Sequence, residues 1–278
     1  MSRYISPKLR EEIDLKMKKI ADNPEFYDTR RKIIEDSLLN LGDIYSFWIE
    51  HPELRKDFLL ENKSEKTIKR MAAMGIRAVR DGWYFLLQRG RKKDFVDVFT
   101  VNDLERLNSI VYRDKKKIEK FKPGERFRKP SFDNAKLNIP GYTVPSPQKI
   151  PDMLENLFKN IKETFYEDPL EAGIMAHLGI AAIQPFYDGN KRCARLVQNR
   201  ILLDGDFPPS IIPAGESVFY RKLFEKAFPA YEKGDIDGQR QFYDFCASKV
   251  NVALDDILND LQIKVSDLDS DSEESTNV

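Results

Sequence analysis

The chain has 278 residues, 41% hydrophobic and 33% charged, the balance of a helix-rich globular protein with enough length for a substantial core. Lysine plus arginine and aspartate plus glutamate number 46 each, so no overall field argues for nucleic acid. Cys193 and Cys246 are too few and too far apart for a disulfide framework or thiolate metal cluster, and no apolar run nears the 18 or so residues of a membrane span. The start, Met-Ser-Arg-Tyr-Ile-Ser-Pro, lacks the character of a signal peptide, so a cytoplasmic, thiol-reducing location is expected.

Ser6-Pro7 opens a first helix with proline at an N1-like position, and Leu9, Ile13, Met17 and Ile20 recur at helical spacing until Asn23-Pro24. An apolar-periodic stretch follows from about Phe26 to Trp48. Another runs from Ser64 to Leu87 and carries Ile68, Met71, Met74, Ile76, Val79, Trp83 and Phe85 as a stripe. Thr100-Val101-Asn102-Asp103-Leu104-Glu105 reads as a capped helix start, and that helix should end near Arg113. Residues 1–100 thus read as a helical subdomain packed on a core domain over 101–262.

Between Arg113 and Lys129, nine basic residues meet three acids, with Phe121 and Phe127 interleaved. This is either a cationic rim that steers an acidic partner or an ordinary solvated connection, the more common of the two. Residues 263–278 form an acidic tail with little to bury, which predicts disorder. From Ser266 on it holds five acids and no base, leaving 41 acids against 46 bases, or +5, on the rest.

The segment Gln184-Pro185-Phe186-Tyr187-Asp188-Gly189-Asn190-Lys191-Arg192-Cys193-Ala194-Arg195 carries most of the chemistry. An apolar run from Ile174 to Ile183 stops at Pro185, and a second helix should start near Lys191. A helix start exposes about four unpaired N–H groups and a partial positive charge. Gly189 lets the turn bring those donors together around an anion. Arg192 and Arg195, three apart, share a face and add forked donors, while Asp188 is suited to the magnesium that accompanies phosphates. The plainer alternative is a helix–turn–helix connection capped by Asn190 with exposed basic residues.

This segment resembles the signature of the Fic/Doc family, His-x-Phe-x-(Asp/Glu)-Gly-Asn-(Gly/Lys)-Arg-x-x-Arg. Pro185 through Arg195 fits that pattern at eleven consecutive positions. The surroundings are similar too: Pro123 to Pro147 resembles the family's β-hairpin flap, Asp168-Pro169-Leu170 and Ala176-His177-Leu178 the helix before the motif, and Phe207-Pro208-Pro209 the segment after it. The resemblance implies an all-α, Fic-type helical bundle with a small flap at about 124–145, preceded by a helical extension. It also implies ATP or another nucleotide with Mg²⁺ as ligand, and transfer of AMP to a Ser, Thr or Tyr hydroxyl of a protein docked on the flap. In that frame Asp188 would hold the metal. Gly189, Asn190, Lys191, Arg192 and Arg195 would hold phosphates, Tyr220 would stand beside the adenine, and Arg126, Arg128 and Tyr142 would belong to the clamp.

Three departures qualify this. The family's general base is a histidine, and Gln184 stands in its place; a neutral amide cannot take that proton, and loss of a general base costs about two to four orders of magnitude in rate. His177 lies two turns upstream, roughly 10 Å back along the helix, and reads as a buried structural imidazole. His51, before Pro52, reads as an exposed connection residue. Lys191 stands where AMP transferases usually have glycine, and lysine there accompanies phosphate transfer in the Doc branch. Ser37-Leu38-Leu39-Asn40-Leu41-Gly42 has the spacing of the family's inhibitory helix, with Leu41 in place of its glutamate; it is a degenerate version of that helix or simply core. The expectation is a nucleotide-binding Fic protein with weak or altered adenylyltransferase activity, the alternatives being a catalytically silent binding pseudoenzyme and a Doc-like phosphotransferase.

Overall fold

In a computed structural model, residues 4–22, 65–90, 94–112, 124, 126–129 and 139–260 are described; for 65–72 and 260 only the backbone is. The stretch from Phe26 to Trp48, Ser37–Gly42, His51, most of the basic stretch from Arg113 to Lys129, residues 130–138 of the expected flap and the acidic tail lie outside the described residues.

The fold is all-α. Among the described residues the helices are α1 (Pro7–Ala21), α2 (Glu65–Gln88), the short α3 (Phe95–Val98), α4 (Val101–Tyr112), α5 (Ile150–Phe165), α6 (Pro169–Ile183), α7 (Asn190–Asp204), α8 (Ser217–Lys233) and α9 (Ile236–Asp260). Single 3₁₀ turns at Pro147–Lys149 and Ala214–Glu216 precede α5 and α8. Among the described residues of the flap no strand forms.

The local rules account for these boundaries. Pro7 sits in the first turn of α1, and Ile13 and Ile20 are fully buried. At α4, Thr100 and Asp103 bond reciprocally, Asp103 Oδ2 accepting from Thr100 N at 3.1 Å and Thr100 Oγ1 from Asp103 N at 3.3 Å. That is a capping box with aspartate in the acidic role. Helix α5 buries Ile150, Leu154, Leu157, Ile161 and Phe165, a single stripe at 3.6-residue periodicity.

Helix α6 is apolar on every side, and such a helix belongs at the centre of a bundle. It packs chiefly on α7 and α5, with α8 and α9 closing over it. Glycines permit the close contacts: a Cβ on Gly179 would lie 2.5 Å from Leu157 Cδ1, and one on Gly205 would lie 2.2 Å from Pro169 Cβ. The start of α6 and the end of α7 are therefore in contact, so the turn at their other ends is held by packing along both helices.

The amino terminus is tied into this core. Helix α1 docks on α9, where Lys16 reaches Glu12 at 2.8 Å and Asp255 at 2.5 Å. Tyr4 stacks on Tyr243 at 4.5 Å, and Glu171 Oε1 accepts from the Tyr4 and Ile5 amides at 2.6 and 3.2 Å. Helix α2 packs on α4 and α7.

Candidate functional site

The turn between α6 and α7 is built from two left-handed residues. Gln184 ends α6 with φ 49°, and Gly189 precedes α7 with φ 82°. Glycine adopts that geometry freely, whereas glutamine needs compensation from its surroundings. The compensation is visible. Gln184 Nε2 donates to the Ala181 carbonyl at 2.6 Å, one of the acceptors a helix end leaves over, and Gln184 Oε1 accepts from Asn190 Nδ2 at 2.9 Å. Asn190 also exchanges bonds with Phe186, accepting from its amide and donating to its carbonyl, each at 2.9 Å. Gln184 is thus a buried staple between the two helices, with both ends of its amide bonded.

At the opening of α7 no side chain caps the helix and no acid lies in its first turn. Three cations follow in quick succession. Lys191 Nζ lies 5.4 Å from the Phe224 ring centroid. Arg192 Nη2 pairs with Asp188 Oδ2 at 2.9 Å, Arg192 Nη1 reaches the Val111 carbonyl at 3.4 Å, and Arg192 Nε is buried with no acceptor. Arg195 is 6% exposed and donates to Tyr220 Oη at 3.4 Å. Neither guanidinium points into bulk water. The Asp188 side chain, 59% exposed, also takes the Gly189 amide at 2.6 Å, so the protein's own carboxylate occupies part of the cradle.

Two residues that the sequence pattern does not single out position this loop. Asn108 on α4 donates to the Asp188 carbonyl at 2.8 Å and accepts from Arg126 Nη2 at 2.8 Å and Nε at 3.2 Å. One turn earlier, Glu105, fully buried, accepts from the Gly124 and Arg126 amides at 2.8 and 3.1 Å. Together they join Gly124 and Arg126 to the turn between α6 and α7. A cavity of about 590 Å³ opens beside this joint, lined by Phe99, Val101, Glu105, Gly124, Phe127 and Phe158 among others. Phe127 stacks on Phe186 of the loop at 6.1 Å.

Two of the three flap residues named from the resemblance, Arg128 and Tyr142, face inward. Arg128, 2% exposed, donates to the Gln184 carbonyl at 2.7 Å and to the Pro145 carbonyl, and its amide donates to the Pro185 carbonyl at 2.9 Å. Burial holds its guanidinium below its ordinary pKa. Tyr142 donates its hydroxyl to the Ala182 carbonyl and packs on Phe228, and burial pushes its pKa up. Both fasten the flap's base to the end of α6 and present no side chain to a partner. Arg126 remains partly exposed, over the Tyr112 ring at 5.9 Å.

Tyr220 is likewise inside. Its ring, 0% exposed, packs among Phe224, Phe242 and Phe245, and its hydroxyl meets His177 Nε2 at 2.7 Å, so no face of it is open to an incoming base. His177 is fully buried, with Gln198 Oε1 on its other nitrogen. Cys193 lies under the loop, its thiol 3.9 Å from Asn108 Nδ2 and pushed up to about 12 by burial.

One carboxylate, Asp188, stands at the mouth of the cradle, and the described residues contain no group of three or more histidines, cysteines or carboxylates placed to hold a metal. That donor set fits Mg²⁺, which binds through one or two carboxylates together with substrate phosphates, and does not fit a dedicated all-protein metal cage.

Comparison with known proteins agrees with the geometry. The model of the Fic/DOC family matches residues 98–202. The protein adenylyltransferase Fic of Aedes aegypti is 32% identical over 127 residues, 45% of this chain and 24% of that protein. The protein adenylyltransferase fic-1 of Caenorhabditis elegans is 36% identical over 74 residues, 26% of this chain and 15% of that protein. The matched part is therefore a quarter or less of these relatives' own length. Among solved structures, a fragment of C. elegans Fic-1 superposes with TM-score 0.65 at 19% identity, covering 91% of this chain and 72% of that one. A Fic-domain signalling protein from Bacteroides thetaiotaomicron gives the same TM-score and identity, covering 90% and 97%. With the motif turn, the helical order and these matches in agreement, the chain carries a domain of the Fic/DOC family over residues 98–202.

Proposed function

We propose that the chain binds a magnesium nucleotide, ATP first among them, in the cradle from Asp188 to Arg195. The observation that carries this is the opening of α7: an uncapped helix start, three cations within six residues, and a buried Arg192 Nε without an acceptor. An orphaned buried donor costs about 1–3 kcal/mol, which a phosphate oxygen would relieve. Asp188 would move from Arg192 to the metal, freeing the guanidinium for the phosphates. Bound Mg²⁺ would neutralise phosphate charge; Lys191, Arg192 and Arg195 would orient the chain.

The named activity of the relatives is protein adenylylation, and we propose the same reaction class here in weakened or altered form. In AMP transfer a hydroxyl oxygen of the acceptor bonds to the α-phosphorus as pyrophosphate leaves, and the hydroxyl proton needs an acceptor. Both ends of the Gln184 amide are already bonded, to Ala181 and Asn190, and an amide is no base at neutral pH. The same observation favours a second reading, a silent binder that acts through its flap. Lys191 keeps phosphate transfer in the Doc manner as a third. The acceptor would be a protein segment laid along the flap.

Calorimetry with MgATP tests the binding; a chain that takes up neither ATP nor another nucleoside triphosphate refutes it. Incubation with α- or γ-labelled ATP separates the chemistries. Protein labelled from the α position supports adenylylation and from the γ position phosphate transfer, while label from neither leaves the silent binder.

A further inference from the structure

Behind the cradle, four buried side chains from three helices form a continuous polar line through the aromatic core. Arg195 and Gln198 lie one turn apart on α7, His177 comes from α6, and Tyr220 comes from α8. Arg195 Nη1 is 3.4 Å from Tyr220 Oη, Tyr220 Oη is 2.7 Å from His177 Nε2, and His177 Nδ1 contacts Gln198 Oε1. Around them stand Phe224, Phe242 and the Cys246 thiol, the last 3.9 Å from His177 Nδ1.

Donor counting gives this line a direction. A guanidinium has only donors, so Tyr220 accepts from Arg195. The tyrosine has one proton of its own, and its nearest acceptor is His177 Nε2. The Gln198 oxygen only accepts, so the neutral ring carries its proton on Nδ1 and leaves Nε2 to accept from the tyrosine hydroxyl. Reversal would leave an unprotonated Nδ1 facing the Gln198 oxygen, two acceptors with no proton between them.

We propose that Tyr220 and His177 are positioning residues for Arg195, acting through this one-way hydrogen-bond chain to hold the guanidinium at the phosphate cradle. Tyr220 thereby takes a different role from the adenine-side one that the family resemblance implies. The polarised hydroxyl and the ring, 5.8 Å from the guanidinium carbon, hold the cation from the α8 side. Gln198 closes the line within α7 itself, so the helix that supplies the cation also supplies the final acceptor.

The inference rests on the reading of residues 188–195 as a phosphate site, and the test separates the two. Tyr220→Phe removes one oxygen and keeps the ring in its aromatic cluster. Phe242→Leu, beside His177 but outside the chain, serves as the packing control. The full chain is followed by nitrogen NMR of its imidazole and guanidinium groups and by calorimetry with MgATP. The expected result is a neutral His177 protonated on Nδ1 at pH 7, with a slowly rotating Arg195 guanidinium. In Tyr220→Phe that guanidinium signal broadens and MgATP affinity falls about tenfold, the loss of one hydrogen bond to a charged group, while Phe242→Leu leaves both unchanged. A proton on Nε2 of His177 overturns the proposal. So does a Tyr220→Phe protein that keeps both the sharp Arg195 signal and wild-type MgATP affinity. If the wild-type chain binds no MgATP, the nucleotide reading falls, and the two NMR signals still decide whether the chain exists and holds Arg195.

Discussion

The starts of α6 and α7 solve the same electrostatic problem in opposite ways. Both helices begin with unpaired N–H groups and a positive dipole end. At α6, Asp168 caps the Glu171 amide at 3.1 Å, Glu171 adds a second carboxylate to the first turn, and Arg10 neutralises Asp168 at 2.6 Å. That end is closed. At α7 a glycine stands in the cap position, and Lys191, Arg192 and Arg195 add positive charge where negative charge is favoured. A helix start that serves only structure collects carboxylates; in the proposed reading the start of α7 keeps its cations for a phosphate. Asp188 is the single carboxylate shared between these roles, exposed enough to be drawn away.

Mutations can break this contrast, and the largest effect is expected at Arg195. Arg195→Ala should weaken MgATP binding about 100-fold by calorimetry, since bonds between a guanidinium and phosphate are charge-assisted. Lys191→Glu gives α7 the acid that α6 already has. Affinity should fall about tenfold or more while the helix start gains about 0.3–1 kcal/mol, so thermal unfolding should rise slightly as binding is lost. Asp168→Ala reverses the pattern: about 1–2 kcal/mol of stability lost in denaturant unfolding, with MgATP affinity unchanged. Gln184→His should cost about 1 kcal/mol of stability, because it breaks the bond to Asn190 but supplies an imidazole. If the cradle is otherwise complete, α-labelled ATP should then label the protein itself more strongly than it does in the wild type.

Much of this end of the molecule is legible in the sequence. Asn23-Pro24 after α1, the box at Thr100 and Asp103, and the Pro185–Gly189 break between two helices are local signals, fixed by backbone chemistry within a few residues. The roles of Glu105 and Asn108 are not, because their partners lie 19 and 80 residues away and only tertiary packing brings them together. A faint clue exists: both polar groups fall on the buried face of α4 with Leu104, Leu107 and Val111. Gln184 is readable as the absence of a base, but its service as a staple depends on a left-handed turn that no pattern around it demands. The family resemblance implies an adenine-side place for Tyr220, whereas in the structure the aromatic side chains of α8 and α9 surround it in the core.

Cys193 turns the burial of the motif into something that can be timed. Its thiol, 0% exposed and pushed up to about 12, has almost no thiolate at neutral pH and no path for a reagent while α4 and α7 stay together. Alkylation at this position therefore requires the loop to come apart, and its rate becomes a clock for that opening. A guest that bridges Asp188 and Arg195 should slow the clock in proportion to its occupancy, with no label on the guest itself.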